Sequence, residues 1–281
     1  MEERSWTIRN VALVAHGGSG KTTLGEAFLF NGKATTKLGR VDEEASNLDF
    51  EPEEMKRRIT ISTSFHHCDW KKRSINIIDT PGDDSFLSDT KLCLQAADGA
   101  VLIVDATAGV KVGTEKVWAF CEELRLPRIV FINKLDRERA SFDKTFEEFI
   151  KTFEIRATPI FLPVGEEDKF EGIVDLISEK AYIYKKDGSG AFKTQDIPGN
   201  LKETAQQWRE KIVENIVESN DSLMEKYLEG EPISPEELRA ALYEGIKKGQ
   251  IFPILCGSAI LNIGIPHLMD MVVEGLPSPL E

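Results

Sequence analysis

Residues 15–23 read AHGGSGKTT, a glycine-rich stretch that ends in Lys-Thr-Thr. The apolar run IRNVALVA precedes it at 8–15, and a helical pattern follows at about 20–30. A strand before and a helix after are the context that a phosphate-binding loop requires. Glycines let backbone N–H groups turn inward onto phosphate oxygens, and the start of the next helix adds its dipole. The stretch therefore predicts a phosphate-binding turn between the first strand and the first helix of an α/β sheet.

The same stretch carries two side chains suited to a nucleotide. Lys21 can reach the β- and γ-phosphates, and the Thr22 hydroxyl can ligate Mg²⁺. Ala15 stands at the first motif position in place of the usual glycine. A dinucleotide fingerprint is disfavoured, because its glycine spacing has no register here and leaves the lysine without a role. The candidate nucleotide-binding residues are Ala15, His16, Gly17, Gly18, Ser19, Gly20, Lys21, Thr22 and Thr23.

Short apolar runs alternate with longer amphipathic ones along the rest of the chain. Candidate strands are 8–15, 61–69, 74–79, 99–105, 128–132 and 251–255, and candidate helices are about 20–30, 113–124, 141–153 and 264–274. This alternation predicts a doubly wound, mostly parallel α/β sheet of the P-loop NTPase class. The run from 61 to 79 differs, because alternation up to Trp70 followed by Lys71-Lys72-Arg73 predicts an antiparallel hairpin. Its neighbouring His66 and His67 point to opposite faces and cannot jointly hold a metal.

The stretch 159–250 breaks this rhythm. It has two short strand-like pieces at 170–174 and 180–184, followed by a DGSG loop. Three charged helical segments come next, at roughly 203–219, 221–229 and 234–248. Connections in α/β folds are normally a few residues plus one helix. The stretch therefore predicts an inserted α+β subdomain at 159–250, with 1–158 and 251–281 forming the main domain. Its acidic helical faces are either a docking surface for a protein or a solvated charged surface.

NKLD at 133–136 follows the strand RIVFI and predicts a base pocket. A carboxylate at Asp136 can accept from both N1–H and the exocyclic amine of guanine, whereas adenine lacks this donor pair, and such sites discriminate by roughly 10⁴ or more. Lys134 can lay its stem along the base and the phosphate-binding turn. A tight turn after strand 251–255 would offer the Ala259 N–H to guanine O6. The candidate base-binding residues are Asn133, Lys134, Asp136, Gly257, Ser258 and Ala259.

DTPGDDSF at 79–86 and RRITIS at 57–62 predict the metal and γ-phosphate contacts. Asp79 ends its strand and suits Mg²⁺ through water, and the Gly82 N–H can bond a γ-phosphate oxygen. Thr60 is a candidate second hydroxyl ligand beside Thr22, although a plain strand threonine is an equal alternative. The polar stretch 32–58 before it has the composition of a mobile loop.

Composition limits the other possibilities. The 281 residues are 41% hydrophobic and 30% charged, with a net charge of −13, so a general nucleic-acid or anionic-membrane surface is not expected. The four cysteines form no CxxC pair, which favours reduced thiols in a cytoplasmic protein and no metal cluster. The N-terminus MEERSWTIRN has no apolar signal segment, and no apolar run is long enough to span a bilayer, so no membrane partner is expected.

The order AHxxxGKTT, RxITI, DTPG, NKxD and GSA resembles that of a translational GTPase. IRNVALVAH, PIFLPVGEEDKFEGIVDL and LCGSAILNIGIPHLMDMVVEGLPSPLE are similar to the GTP-binding domain of elongation factor G, most of all to elongation-factor-G-like paralogues. The resemblance covers essentially the whole chain. It implies a ribosome-linked, Mg²⁺-dependent GTPase that binds GTP and GDP, with 159–250 as the family's G′ subdomain and the ribosomal stalk as its candidate partner. It also implies later domains beyond this chain, which is then expected to be a fragment.

Three residues depart from the family's pattern. Gly18 stands where an aspartate implicated in holding a monovalent cation is usual, Arg58 replaces a glycine, and Asp83 replaces the histidine that positions the attacking water. The catalytic candidates are Lys21, Gly82 and the atypical Asp83. Two hypotheses follow: a GTPase that is slow without the ribosome, and a GTP-dependent binding switch with little or no hydrolysis. A P-loop kinase or ATPase is a distant third, since NKLD with GSA specifies guanine.

Overall fold

The structure is a computed structural model that describes residues 5–43, 45–49, 51–57, 59–155 and 157–281. Arg58, one of the three departures, lies outside the described residues. The strands are β1 (Ile8–Val14), β2 (Ser64–Trp70), β3 (Arg73–Asp79), β4 (Gly99–Asp105), β5 (Arg128–Asn133), β6 (Thr158–Pro159), β7 (Phe161–Val164), β8 (Gly172–Asp175), β9 (Lys180–Tyr184), β10 (Phe192–Asp196) and β11 (Pro253–Cys256). The α-helices are α1 (Lys21–Asn31), α2 (Pro52–Arg57), α3 (Leu87–Leu94), α4 (Val112–Glu123), α5 (Phe142–Phe153), α6 (Lys202–Val217), α7 (Asp221–Leu228), α8 (Pro235–Lys247) and α9 (Ile265–Gly275).

The main sheet has the order β2-β3-β1-β4-β5-β11-β6. Its paired strands run parallel except for β2 and β3. Every residue of β4 and β5 is buried, as expected for a parallel sheet covered on both faces. The predicted doubly wound P-loop NTPase fold is therefore confirmed.

The sheet brings the sequence motifs to one edge. Leu13 of β1 lies opposite Asp79 at the end of β3, and Asp105 at the end of β4 lies opposite Asn133 at the end of β5. These positions are all at the carboxyl ends of parallel strands, where ligands bind in open α/β sheets. The phosphate, metal and base motifs therefore share one face of the molecule.

The β2–β3 hairpin is confirmed, because the two strands pair antiparallel from Ser64 opposite Asp79 to Trp70 opposite Arg73. Lys71 and Lys72 form its turn in the left-handed region, with φ of 47° and 64°. A two-residue turn with positive φ at both positions matches the right-handed twist of the flanking strands.

A second sheet, β10-β9-β8-β7, lies in the stretch predicted as an insert and is antiparallel. Helices α6 to α8 follow it in the chain, and β11 then returns to the main sheet. The additional α+β subdomain is therefore present. It also shares packing with the main domain: Ile160 N–H donates to Ile254 O at 2.8 Å, and Trp208 of α6 meets Phe146 of α5 edge to face at 5.2 Å.

Several elements depart from the sequence prediction. Helix α2 lies inside the polar stretch 32–58, and α3 begins at Leu87, after the 3₁₀ turn Asp84–Phe86 that follows DTPG. Both are short, at six and eight residues, and give too few turns for a clear 3.6-residue pattern. The exposed strand β10 has no buried residue, so its sequence carries no alternation to detect.

Candidate functional site

The phosphate-binding turn is closely packed against the base motif. Gly20 adopts the left-handed conformation with φ 94°, and a Cβ on it would lie 2.6 Å from the side-chain nitrogen Nδ2 of Asn133. Only glycine meets both conditions without a shift of the neighbouring atoms. The buried Ser19 bonds the Nδ1 of His16 at 2.9 Å, which fixes the turn from behind. Burial and then the charge of Lys21 lower the pKa of His16, which favours the neutral imidazole.

Lys21 occupies the centre of this turn. Its side chain is buried, and the ammonium lies 3.5 Å from Ala15 O and 3.3 Å from His16 O. Burial lowers the pKa of Lys21, while the negative charges of Asp79 and Asp49 oppose that shift. A Cβ on Gly82 would overlap the Lys21 ammonium, so the DTPG turn passes directly against it. The ammonium thus lies between the two turns that the sequence assigns to phosphate.

Two hydroxyl groups and two carboxylates lie close together where the sequence predicts Mg²⁺. Thr22 Oγ1 and Thr60 Oγ1 are 3.0 Å apart, and Thr60 donates to Asp49 Oδ1 at 3.0 Å. Both oxygens of the fully buried Asp79 lack a hydrogen-bond partner within the described parts of the chain, and burial raises its pKa to about 7. Oxygen donors of this kind fit a hydrated Mg²⁺, whose charge would favour the ionised carboxylate. The sequence analysis missed Asp49, because nothing in its polar surroundings indicated a contact with Thr60.

The base motif is held rigidly. Asn133 Nδ2 donates to Ser19 O at 2.9 Å, and Asn133 Oδ1 accepts from the Ala259 N–H at 2.9 Å. The Ala259 N–H is therefore engaged by Asn133 here, and its contact with guanine O6 stays a prediction. Asp136 Oδ1 is buried without a partner among the described residues, whereas Oδ2 lies 3.8 Å from Arg137 Nε. Buried acceptors in proteins generally have a hydrogen-bond partner, so Asp136 Oδ1 is available to a donor from a ligand.

Lys134 contacts the phosphate-binding turn, along which the sequence analysis placed its stem, and also Asp105, which the sequence did not indicate. Its backbone has φ 66°, and its ammonium donates to Asp105 Oδ2 at 2.7 Å and to Gly18 O at 2.5 Å. Asp105 is in turn held by the N–H and hydroxyl of Thr107, at 2.8 and 2.7 Å. The lysine stem is thus fixed between the phosphate-binding turn and the end of β4, where it can flank a base.

Asp83 does not face into the protein. Its carboxylate is fully exposed and accepts from the Ser85 N–H at 2.9 Å, which caps the 3₁₀ turn Asp84–Phe86. That hydrogen bond lowers the pKa of Asp83, so the group is ionised at neutral pH. The neighbouring Asp84 accepts from Lys116 at 3.1 Å. Asp83 nevertheless borders the same cavity as Gly82.

One cavity of about 490 Å³ joins these groups. Predicted residues that line it are Gly17, Gly18, Gly20, Lys21, Thr22, Thr23, Thr60, Gly82, Asp83, Asn133, Lys134, Asp136, Ser258 and Ala259. The other predicted residues, Ala15, His16, Ser19, Asp79 and Gly257, lie outside this lining. The lining residues that the sequence analysis did not single out are Val41, Asp49, Ile59, Arg137 and Ile260.

The described parts of the chain contain no group of three or more His, Cys, Asp or Glu side chains placed to hold a metal. Cys68, Cys93, Cys121 and Cys256 are free thiols. Among the described helices, none is both long and apolar enough to cross a membrane.

Comparison with known proteins gives a family match and a similar solved structure. The family model described as the elongation factor Tu GTP binding domain matches residues 6–278. A crystal structure of a protein from Thermus thermophilus is similar, with 37% sequence identity and a TM-score of 0.90. That similarity covers 97% of this chain and 41% of the Thermus chain, so this chain spans less than half the length of that relative.

Proposed function

Because the chain belongs to the elongation factor Tu GTP-binding domain family, a family of translational GTPases, we propose that it is the nucleotide module of an elongation-factor-G-like, ribosome-associated factor. One observation supports its ligand most directly. Asp79 and Asp136 are both buried carboxylates with unpartnered oxygens among the described residues: Asp136 lines the cavity, and Asp79 lies behind its lining, where its charge acts on Lys21. Mg²⁺·GTP offers a hydrated cation to the first and the N1–H and amine of guanine to the second.

We assign the binding roles as follows. The N–H groups of the turn 17–22 and the Lys21 ammonium hold the β- and γ-phosphates, and Gly82 N–H bonds the γ-phosphate. Thr22 and Thr60 would ligate Mg²⁺ directly and Asp79 through water. When bound, the metal neutralises charge that develops on the phosphate oxygens. Asp136 selects guanine, Asn133 ties the base motif to the phosphate-binding turn, and Lys134 flanks the base.

Hydrolysis needs a group that orients the attacking water. Asp83 is the candidate by position, and an ionised carboxylate can accept a hydrogen bond from water. Its negative charge, however, would repel the phosphate charge, and the hydrogen bond that it accepts from the Ser85 N–H holds it at the exposed surface. We therefore propose slow hydrolysis, with Lys21 and Gly82 contributing to stabilisation of the γ-phosphate.

The exposed Asp83 also favours the second candidate function. A GTP-dependent binding switch with little hydrolysis needs the same nucleotide contacts without an efficient water-orienting group. The two functions share every assigned binding residue and differ in turnover alone.

The domain division and partners are part of the same proposal. Residues 1–158 and 251–281 would form the GTP-binding domain, and 159–250 the G′-like subdomain, with its acidic helices as a docking surface for the ribosomal stalk. Later domains of the same protein are proposed because the Thermus relative is more than twice as long as the matched part. We place the protein in the cytoplasm, with the ribosome as its main partner.

Two measurements test the proposal. Calorimetric titration should show Mg²⁺-dependent binding of GDP and GTP and no comparable binding of ADP. Equal affinity for ADP and GDP would refute the guanine assignment. Steady-state GTP turnover with and without ribosomes then separates the two candidate functions, because the switch hypothesis requires that ribosomes leave turnover near its basal rate.

A further inference from the structure

Glu26 is a buried carboxylate that the proposed function does not use. It lies on α1 one turn beyond Thr22, and its residue has no exposed surface. Its oxygens accept from the Ser46 hydroxyl at 2.8 Å, the Asn47 side-chain amide at 2.9 Å and the Leu48 N–H at 3.0 Å. The Asn47 N–H is a further donor to the same carboxylate. A buried charge is tolerated when hydrogen bonds satisfy it, and here all four donors come from one loop segment.

The segment 45–49 is also packed onto α1 beside Glu26. The Leu48 side chain is buried and lies against Gly25, where a Cβ would overlap it. Gly39, further upstream in the loop, approaches the Glu26 carboxylate closely enough that a Cβ there would overlap it too. The loop therefore rests on a surface of α1 that is centred on Glu26.

A chain of hydrogen bonds leads from this anchor to the metal-binding hydroxyl groups. The Ser46 hydroxyl, which donates to Glu26, also accepts from the Asp49 N–H at 3.0 Å and so fixes the turn that carries Asp49. Asp49 accepts from Thr60 at 3.0 Å, and Thr60 lies 3.0 Å from Thr22. Glu26 and Thr22 thus hold opposite ends of one loop from the same helix.

The downstream part of the loop has its own anchor. Glu54, on α2, accepts from the Ile61 N–H at 2.9 Å and the Ser62 N–H at 3.0 Å. Loss of the Glu26 contacts should therefore release 45–49 while leaving the strand entry at 61–62 attached. The effect on Thr60 would then be transmitted by Asp49.

We propose that Glu26 is a positioning residue that holds Asp49, and through it the Thr60 hydroxyl, in place for the metal and the γ-phosphate. The inference rests on the proposed function. Loops of this kind are ordered by the γ-phosphate and its Mg²⁺ and are released when the γ-phosphate is lost. Glu26 should therefore matter for GTP binding and matter little for GDP binding.

The test compares Glu26→Ala and Glu26→Gln with Glu43→Gln, which removes an exposed carboxylate from the same loop. Dissociation constants for a non-hydrolysable GTP analogue and for GDP are measured in saturating Mg²⁺, together with the rate of trypsin cleavage after Arg40 in the analogue complex. Since several charge-assisted hydrogen bonds are lost, Glu26→Ala should weaken binding of the GTP analogue by about tenfold or more and binding of GDP by less than about threefold. Cleavage should accelerate in the analogue complex. Glu26→Gln, which keeps one acceptor oxygen, should be intermediate. Glu43→Gln should match wild type in both dissociation constants, and it serves as the control for binding alone because Glu43 pairs with Arg40.

If Glu26→Ala weakens binding of both nucleotides equally, the residue has a structural role only and the inference is overturned. An unchanged ratio of the two dissociation constants would overturn it as well. If Glu26→Ala does not fold, Glu26→Gln alone is compared with wild type. An unchanged ratio of the dissociation constants for the analogue and GDP would again overturn the inference. Failure of the wild-type protein to bind either nucleotide would instead refute the proposed function, so the two failures are distinguishable.

Discussion

Asp136→Asn tests the base pocket with a change of almost no volume. Asp136 Oδ1 is buried without a partner among the described residues, and the side chain is 12% exposed. The carboxylate presents two acceptors, which match the N1–H and exocyclic amine of guanine. The asparagine amide presents one acceptor and one donor group, so one guanine donor would face a donor.

The magnitude follows from these contacts. A hydrogen bond to a charged group contributes about 1.5–3 kcal/mol, and leaving a buried donor unsatisfied costs about 1–3 kcal/mol. The substitution incurs both, so GDP binding should weaken by about 2.5–6 kcal/mol, or roughly 10²–10⁴-fold. Xanthine carries an oxygen where guanine carries its amine, and that oxygen can accept from the asparagine amide. Xanthosine diphosphate should therefore bind the variant better than it binds wild type.

Calorimetric titration of both proteins with both nucleotides measures this exchange. Asp143→Asn, an exposed aspartate on α5, is the matched control and should bind GDP as wild type does. Thermal unfolding of the variants checks that the fold is retained. Unchanged GDP affinity in Asp136→Asn, or a loss of GDP affinity without any gain for xanthosine diphosphate, would refute the reasoning.

The remaining predictions concern four other positions. Asp83→His should raise ribosome-stimulated GTP turnover in the full-length protein with GDP affinity nearly unchanged, since a well-placed acid–base group contributes about 10²–10⁴-fold. Lower turnover would mean that Asp83 already orients the water. Gly18, with φ 78° and open space around its Cβ position, offers no carboxylate to hold a monovalent cation. GTP turnover should therefore stay nearly constant when potassium is replaced by a bulky organic cation, and a steep fall would contradict this. Asn262→Ala should lower the free energy of unfolding, measured in urea, by roughly 2 kcal/mol, because this buried residue at φ 56° loses the hydrogen bonds of its side-chain amide. Asn262→Gly tolerates the same backbone conformation and therefore isolates the contribution of those hydrogen bonds. Burial lowers the pKa of His267 from 6.5 to about 4, so the unfolded chain takes up the proton at a higher pH than the folded protein does. The free energy of unfolding should therefore fall by about 3 kcal/mol as pH drops from 6.5 to 4. Urea titrations at several pH values should show a weaker pH dependence of this free energy for His267→Gln.

Much of the fold was accessible from the sequence because its main signals are local. Apolar runs such as GAVLIVD mark strands buried on both faces, and turn residues separate them from helices. The hairpin was visible for the same reason, since the Lys71-Lys72 turn interrupts an alternating pattern. The strand ends then bring the motifs together without further information, because parallel strands share a carboxyl edge.

The contacts that hold the site were not accessible. Glu26 and Asp49 are polar residues in a helix and in a polar loop, and their burial depends on partners 11 to 22 residues away in the chain. Asp105 is likewise accounted for in the sequence as the polar end of an apolar strand, whereas its hydrogen bond from Lys134 spans 29 positions. Hydrogen bonds between distant segments leave no periodic trace in the sequence. The orientation of Asp83 depends on a local cap, which DDSF permits without requiring.

The bond between Asn133 and the Ala259 N–H spans 126 residues, because the whole additional subdomain is synthesised between β5 and β11. At about 5–20 residues per second, a ribosome needs roughly 6–25 s to make that interval. During this time β5, which is buried along its full length in the finished protein, has no β11 to pair with on one side. An apolar strand with a bare edge is prone to aggregation, and nucleotide cannot protect a pocket whose second half does not yet exist. The nascent chain should therefore depend on chaperones in this interval, and guanine nucleotide should become able to stabilise it only after Ala259 has left the exit tunnel.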